Sequence, residues 1–115
     1  MRHFIKILVM AIIAITAGCA SAPLKTEAST SGIRAAEEVG AADVPNASLH
    51  LQLAKEELAH ARELAEKDEK AMADSMLLRS QADAELALLL SREDAEKTEA
   101  EAAVKRVRQF RESNQ

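Results

Sequence analysis

The sequence predicts an all-α chain, a short helix followed by a long antiparallel helical hairpin of coiled-coil character. Three observations predict it. From residue 49 onward Ala, Glu, Leu, Lys and Arg dominate, the composition of long helices. Apolar residues there recur at alternating spacings of three and four, which gathers them on one helical face. A wholly charged tetrapeptide, Lys67-Asp68-Glu69-Lys70, interrupts that rhythm between two amphipathic segments.

The first expected element is a signal-peptide helix over residues 1–18. Arg2 and Lys6 give a basic start, Ile7 to Ile15 is an unbroken apolar run, and Thr16-Ala17-Gly18 is a small-residue exit. A charged start, an apolar stretch of about 7–15 residues and small residues before a cut describe an export signal. A spanning helix needs about 20 apolar residues. Here Thr16, Gly18, Ser21 and Pro23 intervene first, which makes a retained membrane helix the weaker alternative.

Thr16-Ala17-Gly18-Cys19 resembles the bacterial lipobox, with Thr16 where Leu is usual. Cleavage is expected between Gly18 and Cys19, with lipid on Cys19. Cys19 is the only cysteine, so no intramolecular disulfide can form, and an exported thiol left bare would be open to oxidation. Several acyl chains, at about 0.8 kcal/mol per buried CH₂, would anchor the chain to a membrane without spanning it. Ala20-Ser21 follows the cysteine. Resemblance to enterobacterial lipoproteins, where Asp after Cys favours the inner membrane, then implies the outer membrane, facing the periplasm.

Removing residues 1–18 takes away two basic residues and no acidic one, so the formal charge moves from −4 to −6. An acidic chain suits nucleic acid poorly, since phosphate binding rests on clustered Lys and Arg. Phe110 is the one aromatic left, so any core is thin, made of Ala and Leu, and requires helices at close range. Room remains for one small domain.

Residues 19–31, rich in Ala, Ser and Thr and containing Pro23, read as a lipidated flexible tether. Extended, Ala20 to Ser31 would reach roughly 40 Å. The helical domain is expected over 32–112, with 113–115 as a tail. Within it a short helix covers Ile33 to Val39, and Gly40 sits where helices end in a left-handed residue. Asp43, Asn46 or Ser48 are candidate caps for the next helix, whose first turn tolerates Pro45. That helix runs to Glu66, with Leu51, Ala54, Leu58, Ala61 and Ala65 on its inner face. The run Lys67 to Lys70 is the expected turn, with one continuous helix as its rival because no Gly or Pro stands there. The last helix is expected from about Glu69 to about Phe110, roughly 60 Å. Its inward stripe reads Ala71, Ser75, Leu78, Ala82, Leu86, Leu89, fades through Glu93 and Glu96, and resumes at Ala100, Val104 and Val107. Lys105, Arg106, Arg108 and Arg111 then complement the helix dipole.

The last helix outlasts its partner, and leucines in Ala84 to Leu90 face more than one way. A helix apolar on more than one face has more than one neighbour. Either the short first helix covers that surface, or Leu88, Leu90, Val104 and Val107 meet another copy or another envelope protein.

Gly32-Ile33-Arg34-Ala35-Ala36-Glu37-Glu38-Val39-Gly40-Ala41, then Pro45, then Leu53-Ala54 with Leu58 and Ala61-Arg62, and finally Gln81-Ala82-Asp83-Ala84-Glu85-Leu86-Ala87 resemble the domain-of-unknown-function 4398 family. The resemblance covers about residues 31–90. It implies a helical envelope lipoprotein and no reaction. Some members continue into a peptidoglycan-binding domain, for which no counterpart is expected before Gln115.

No constellation for chemistry emerges. His50 and His60 are ten apart, not the four that puts two metal ligands on one helical face. Glu56 and His60 share a face, where a solvated pair is the better reading than a metal clip. Neighbouring acids such as Glu37 and Glu38, or Glu99 and Glu101, lack a cleft to raise a carboxyl pKa. Gly32 and Gly40 cannot make a phosphate loop. The expectation is a non-enzyme without cofactor, metal or evident small-molecule substrate. A cell-wall linker like the major outer-membrane lipoprotein is the alternative, although the terminal Lys that joins that protein to the wall is replaced here by Ser113-Asn114-Gln115.

Overall fold

The computed structural model describes residues 22–115. Residues 1–18, the Gly18–Cys19 bond and Cys19 lie outside them. Helix α1 spans Glu27–Glu38, a single 3₁₀ turn spans Ala41–Asp43, α2 spans Pro45–Glu66 and α3 spans Lys70–Ser113. The fold is the expected all-α arrangement. Helices α2 and α3 form the hairpin, and α1 packs across both, mainly against α3. No helix among the described residues is long and apolar enough to cross a membrane.

The tether is shorter than expected, because α1 starts at Glu27 and consumes residues 27–31. Its first turns are Ser- and Thr-rich and lack an apolar period, so tertiary contact supplies what propensity does not. Ser29 is buried, and its Oγ donates to the Leu77 carbonyl of α3 at 3.1 Å. Thr30 Oγ1 donates back to the Thr26 carbonyl at 2.9 Å. Helix α1 ends as read: Gly40 has φ +81° and its N–H reaches the Glu37 carbonyl at 3.0 Å. A left-handed residue there costs Gly nothing and any other residue about 1 kcal/mol.

None of Asp43, Asn46 or Ser48 caps α2. The capping position is Val44, in extended backbone, with no side-chain hydrogen bond, and Pro45 opens the helix. Ser48 Oγ instead donates to the Pro45 carbonyl at 2.9 Å. Proline at the first position removes an N–H that would lack an intrahelical partner, which lessens the need for a cap.

The charged run does reverse the chain. Glu69 N–H bonds the Leu64 carbonyl at 2.9 Å and Asp68 N–H bonds the Ala65 carbonyl at 3.1 Å. These two bonds, with Asp68 at φ 62°, form the paired closure that ends many helices in a left-handed residue. Asp takes the place that Gly usually fills, so the turn carried no Gly signal.

Small residues choose which faces meet. Buried positions are Ser29, Ile33 and Ala36 on α1, Ala47, Leu51, Ala54, Glu57, Leu58, Ala61 and Leu64 on α2, and Ala73, Leu77, Ser80, Ala84, Ala87 and Ser91 on α3. The α2 face is the expected one, except that Leu64 is buried and Ala65 only half-buried. The α3 face is not. Ala71, Ser75, Leu78, Ala82, Leu86 and Leu89 all lie on the surface, and the small-residue row at 73, 77, 80, 84, 87 and 91 faces inward. A Cβ built on Gly32 would stand 3.1 Å from the Ala84 Cβ. Backbones that close leave no room for a leucine row between them.

Candidate functional site

Two features of the hairpin merit a functional reading, a polar chain across the α2–α3 seam and the outward face of α3. The polar chain is set by the hairpin register. Opposite the Ala54 carbonyl, Ser80 donates its Oγ at 2.7 Å, both residues being fully buried. One turn on either side, His50 Nδ1 meets Asp83 Oδ1 at 2.7 Å and Arg79 Nε meets Glu57 Oε1 at 2.9 Å. Glu57 is buried, and its Oε2 has no hydrogen-bond partner. Burial, and then the neighbouring Asp83 carboxylate, raise the Glu57 pKa, and Arg79 offsets part of this. The four residues His50, Asp83, Glu57 and Arg79 bridge two helices along a seam that holds no cleft for a substrate. Their physical effect is to fix register, since a one-residue slip would separate both pairs.

The other sequence candidates separate. His60 is exposed, and Glu56 accepts from Gln52 Nε2 at 2.9 Å. Among the described residues no group of three or more His, Cys, Asp or Glu side chains is placed to hold a metal ion.

The outward face of α3 is apolar over most of its length. Leu78 is 70% exposed, Leu89 59% and Phe110 69%, with Met72, Leu86, Val104 and Val107 also on the surface. These positions continue the row that begins at Ala71 and Ser75. Of the four residues expected to form an association surface, Val104 and Val107 are free. Leu88 and Leu90 are half-buried against the core, Leu90 beside Val44 and Asn46 at the start of α2. Cover from within the chain therefore accounts for Leu88 and Leu90, while Val104 and Val107 are left exposed. The leucines that stay free, Leu78, Leu86 and Leu89, are those expected inside.

Beyond Ser91 every residue of α3 is exposed. Pro45–Glu66, at 22 residues, pairs with only the first half of the 44-residue α3. The overhang from about residue 92 to Ser113 runs roughly 33 Å past the hairpin. Its ion pair Lys97–Glu93, at 2.6 Å, stays within the helix. That pairing holds the Glu93 carboxyl below its usual range and Lys97 above its own.

At the opposite end, Ala22, Pro23 and Leu24 line a shallow groove with Ala65, Glu66, Asp68 and Lys70, and Leu24 touches the core. The chain thus enters the domain beside the hairpin turn. Compared with known proteins, this chain matches no family model, no curated protein and no solved structure.

Proposed function

We propose that this chain is a lipid-anchored protein of the bacterial envelope, and that its helical domain is a non-catalytic docking module for other protein surfaces. The observation that carries the docking role is the apolar face of α3, in two stretches from Ala71 to Leu89 and from Ala100 to Phe110 on either side of Glu93 and Glu96, which nothing within the described chain covers. Contiguous exposed apolar surface marks association sites in soluble domains. The anchoring role rests on Cys19 and the export pattern before it, and the outer-membrane location on Ala20-Ser21. The resemblance to the domain-of-unknown-function 4398 family is consistent with this reading.

Two measurements test the proposal in intact cells. Cys19→Ser is expected to abolish labelling by a radioactive fatty acid and release the domain from the membrane fraction. A variant that keeps its leader and stays membrane-bound would replace the lipid with a spanning anchor. A photoreactive residue at Leu89 is expected to yield protein adducts, whereas one at the buried Ala54 yields none. Equal yields at both positions would remove the docking role.

A further inference from the structure

The overhang of α3 is polarised in charge. Residues 92–101 carry five acids and two bases, net −3, and residues 102–115 carry four bases and one acid, net +3. Along it Glu93, Glu96, Ala100, Ala103, Val107 and Phe110 recur at spacings of three and four, a coiled-coil seam with no partner on the described chain. We infer that this seam pairs with the same seam of a second copy, antiparallel, centred between Glu101 and Ala102. The inference rests on the docking role proposed above and names its partner.

Direction follows from the flanking charges. In a parallel pair, Arg92 would meet Lys97 of the second copy, and Arg106 would meet Arg111 of the second copy, each contact occurring twice. Glu93 and Glu96 would also face their own counterparts across the seam. Every one of these contacts is repulsive. In the antiparallel pair, Ala100 packs on Ala103 of the second copy, Glu96 on its Val107, and Glu93 on its Phe110, beside its Arg111. Glu99 then lies alongside Arg106 of the second copy, twice by symmetry, and the acidic half of each helix runs along the basic half of the other. Within its own helix, Glu99 has no opposite charge three or four residues away, and neither has Arg106. Both charges are free to serve a partner.

The test is sedimentation equilibrium of the full lipidated protein in detergent, with helix content checked by circular dichroism. The expected species is a dimer over an accessible concentration range. Arg106→Glu turns two attractive contacts into repulsive ones and is expected to weaken dimerisation about tenfold. Adding Glu99→Arg restores it, because the pair is merely exchanged. A parallel pair gives the opposite result, since Arg106→Glu would then face Arg111 and tighten association. Tightening, failure of the double variant to recover, or a monomer at every concentration overturns the inference. A monomer that still forms adducts through Leu89 in cells overturns only the second copy as partner. A monomer without such adducts removes the docking role as well.

Discussion

Replacing Ala84 with Leu discriminates a small-residue seam from an ordinary hydrophobic core. Ala84 is fully buried on α3, and the Gly32 backbone of α1 approaches so closely that a methyl there would stand 3.1 Å from the Ala84 Cβ. If the seam had slack, the three added carbons of leucine would contribute about 0.8 kcal/mol each, a gain of about 2.4 kcal/mol. Without slack, α1 must move off or the side chain must leave its rotamer, at a cost of about 1–3 kcal/mol. The geometry selects the second outcome, at its upper end, because the neighbour is backbone. Ala82→Leu, on the exposed side of the same helix, is the control and is expected within about 0.5 kcal/mol of wild type. Urea unfolding of the full chain, followed by circular dichroism, measures both. A midpoint raised by Ala84→Leu would refute close packing of α1 on α3, and with it the account of which α3 face is buried.

Two further outcomes follow. Glu57→Gln is expected to stabilise the domain at pH 7 by about 1 kcal/mol, the low end for a buried acceptor without a partner. The folded-state pKa of Glu57 lies above 4.5, so folding favours its protonated form. The penalty is full above the folded pKa and fades as pH falls through it toward 4.5, so the wild-type and variant unfolding curves should converge on acidification; a gap that widens instead refutes this. At the two left-handed positions opposite changes are expected. Gly40→Ala should cost about 1 kcal/mol and Asp68→Gly should recover up to about 1 kcal/mol, measured by the same unfolding midpoint. Equal effects at both would show that the backbone there is not left-handed.

Spacing and punctuation made most of the fold legible. Helix α2 and its inner residues Leu51, Ala54, Leu58 and Ala61, the reversal at residues 67–70 and the end of α1 at Gly40 all follow from local pattern. What local pattern misses is size. Two rows on α3 have the same spacing, Ala71-Ser75-Leu78-Ala82 and Ala73-Leu77-Ser80-Ala84, and hydrophobicity prefers the row with more leucine overall. The fold buries the other, in which Leu77 is the one large residue beside Ala73, Ser80, Ala84, Ala87 and Ser91, because helices this close have little room for a row of leucines. The start of α1 was hidden for a related reason. Ser29 reads as tether in sequence and becomes helical through a hydrogen bond to Leu77, 48 residues away. The His50–Asp83 and Glu57–Arg79 pairs were equally out of reach, since they depend on the register between two helices. A carboxylate four residues from His60 was legible but meaningless, and the one that meets His50 lies 33 residues away.

The entry of the chain beside the hairpin turn sets a scale for the whole assembly. Ala22 lies beside the turn, so any membrane anchor that precedes it would hold the domain by its turn end. Helix α3 then carries its far tip roughly 66 Å from that root. A single copy is a mast. Two copies joined tip to tip, centred near residue 101, put their roots about 95 Å apart and at opposite ends of one rod. Such a rod cannot stand upright on a single bilayer with both anchors inserted. It lies flat along one surface or holds two surfaces at a fixed separation, and the number of residues in the overlap, not any flexible linker, sets that distance.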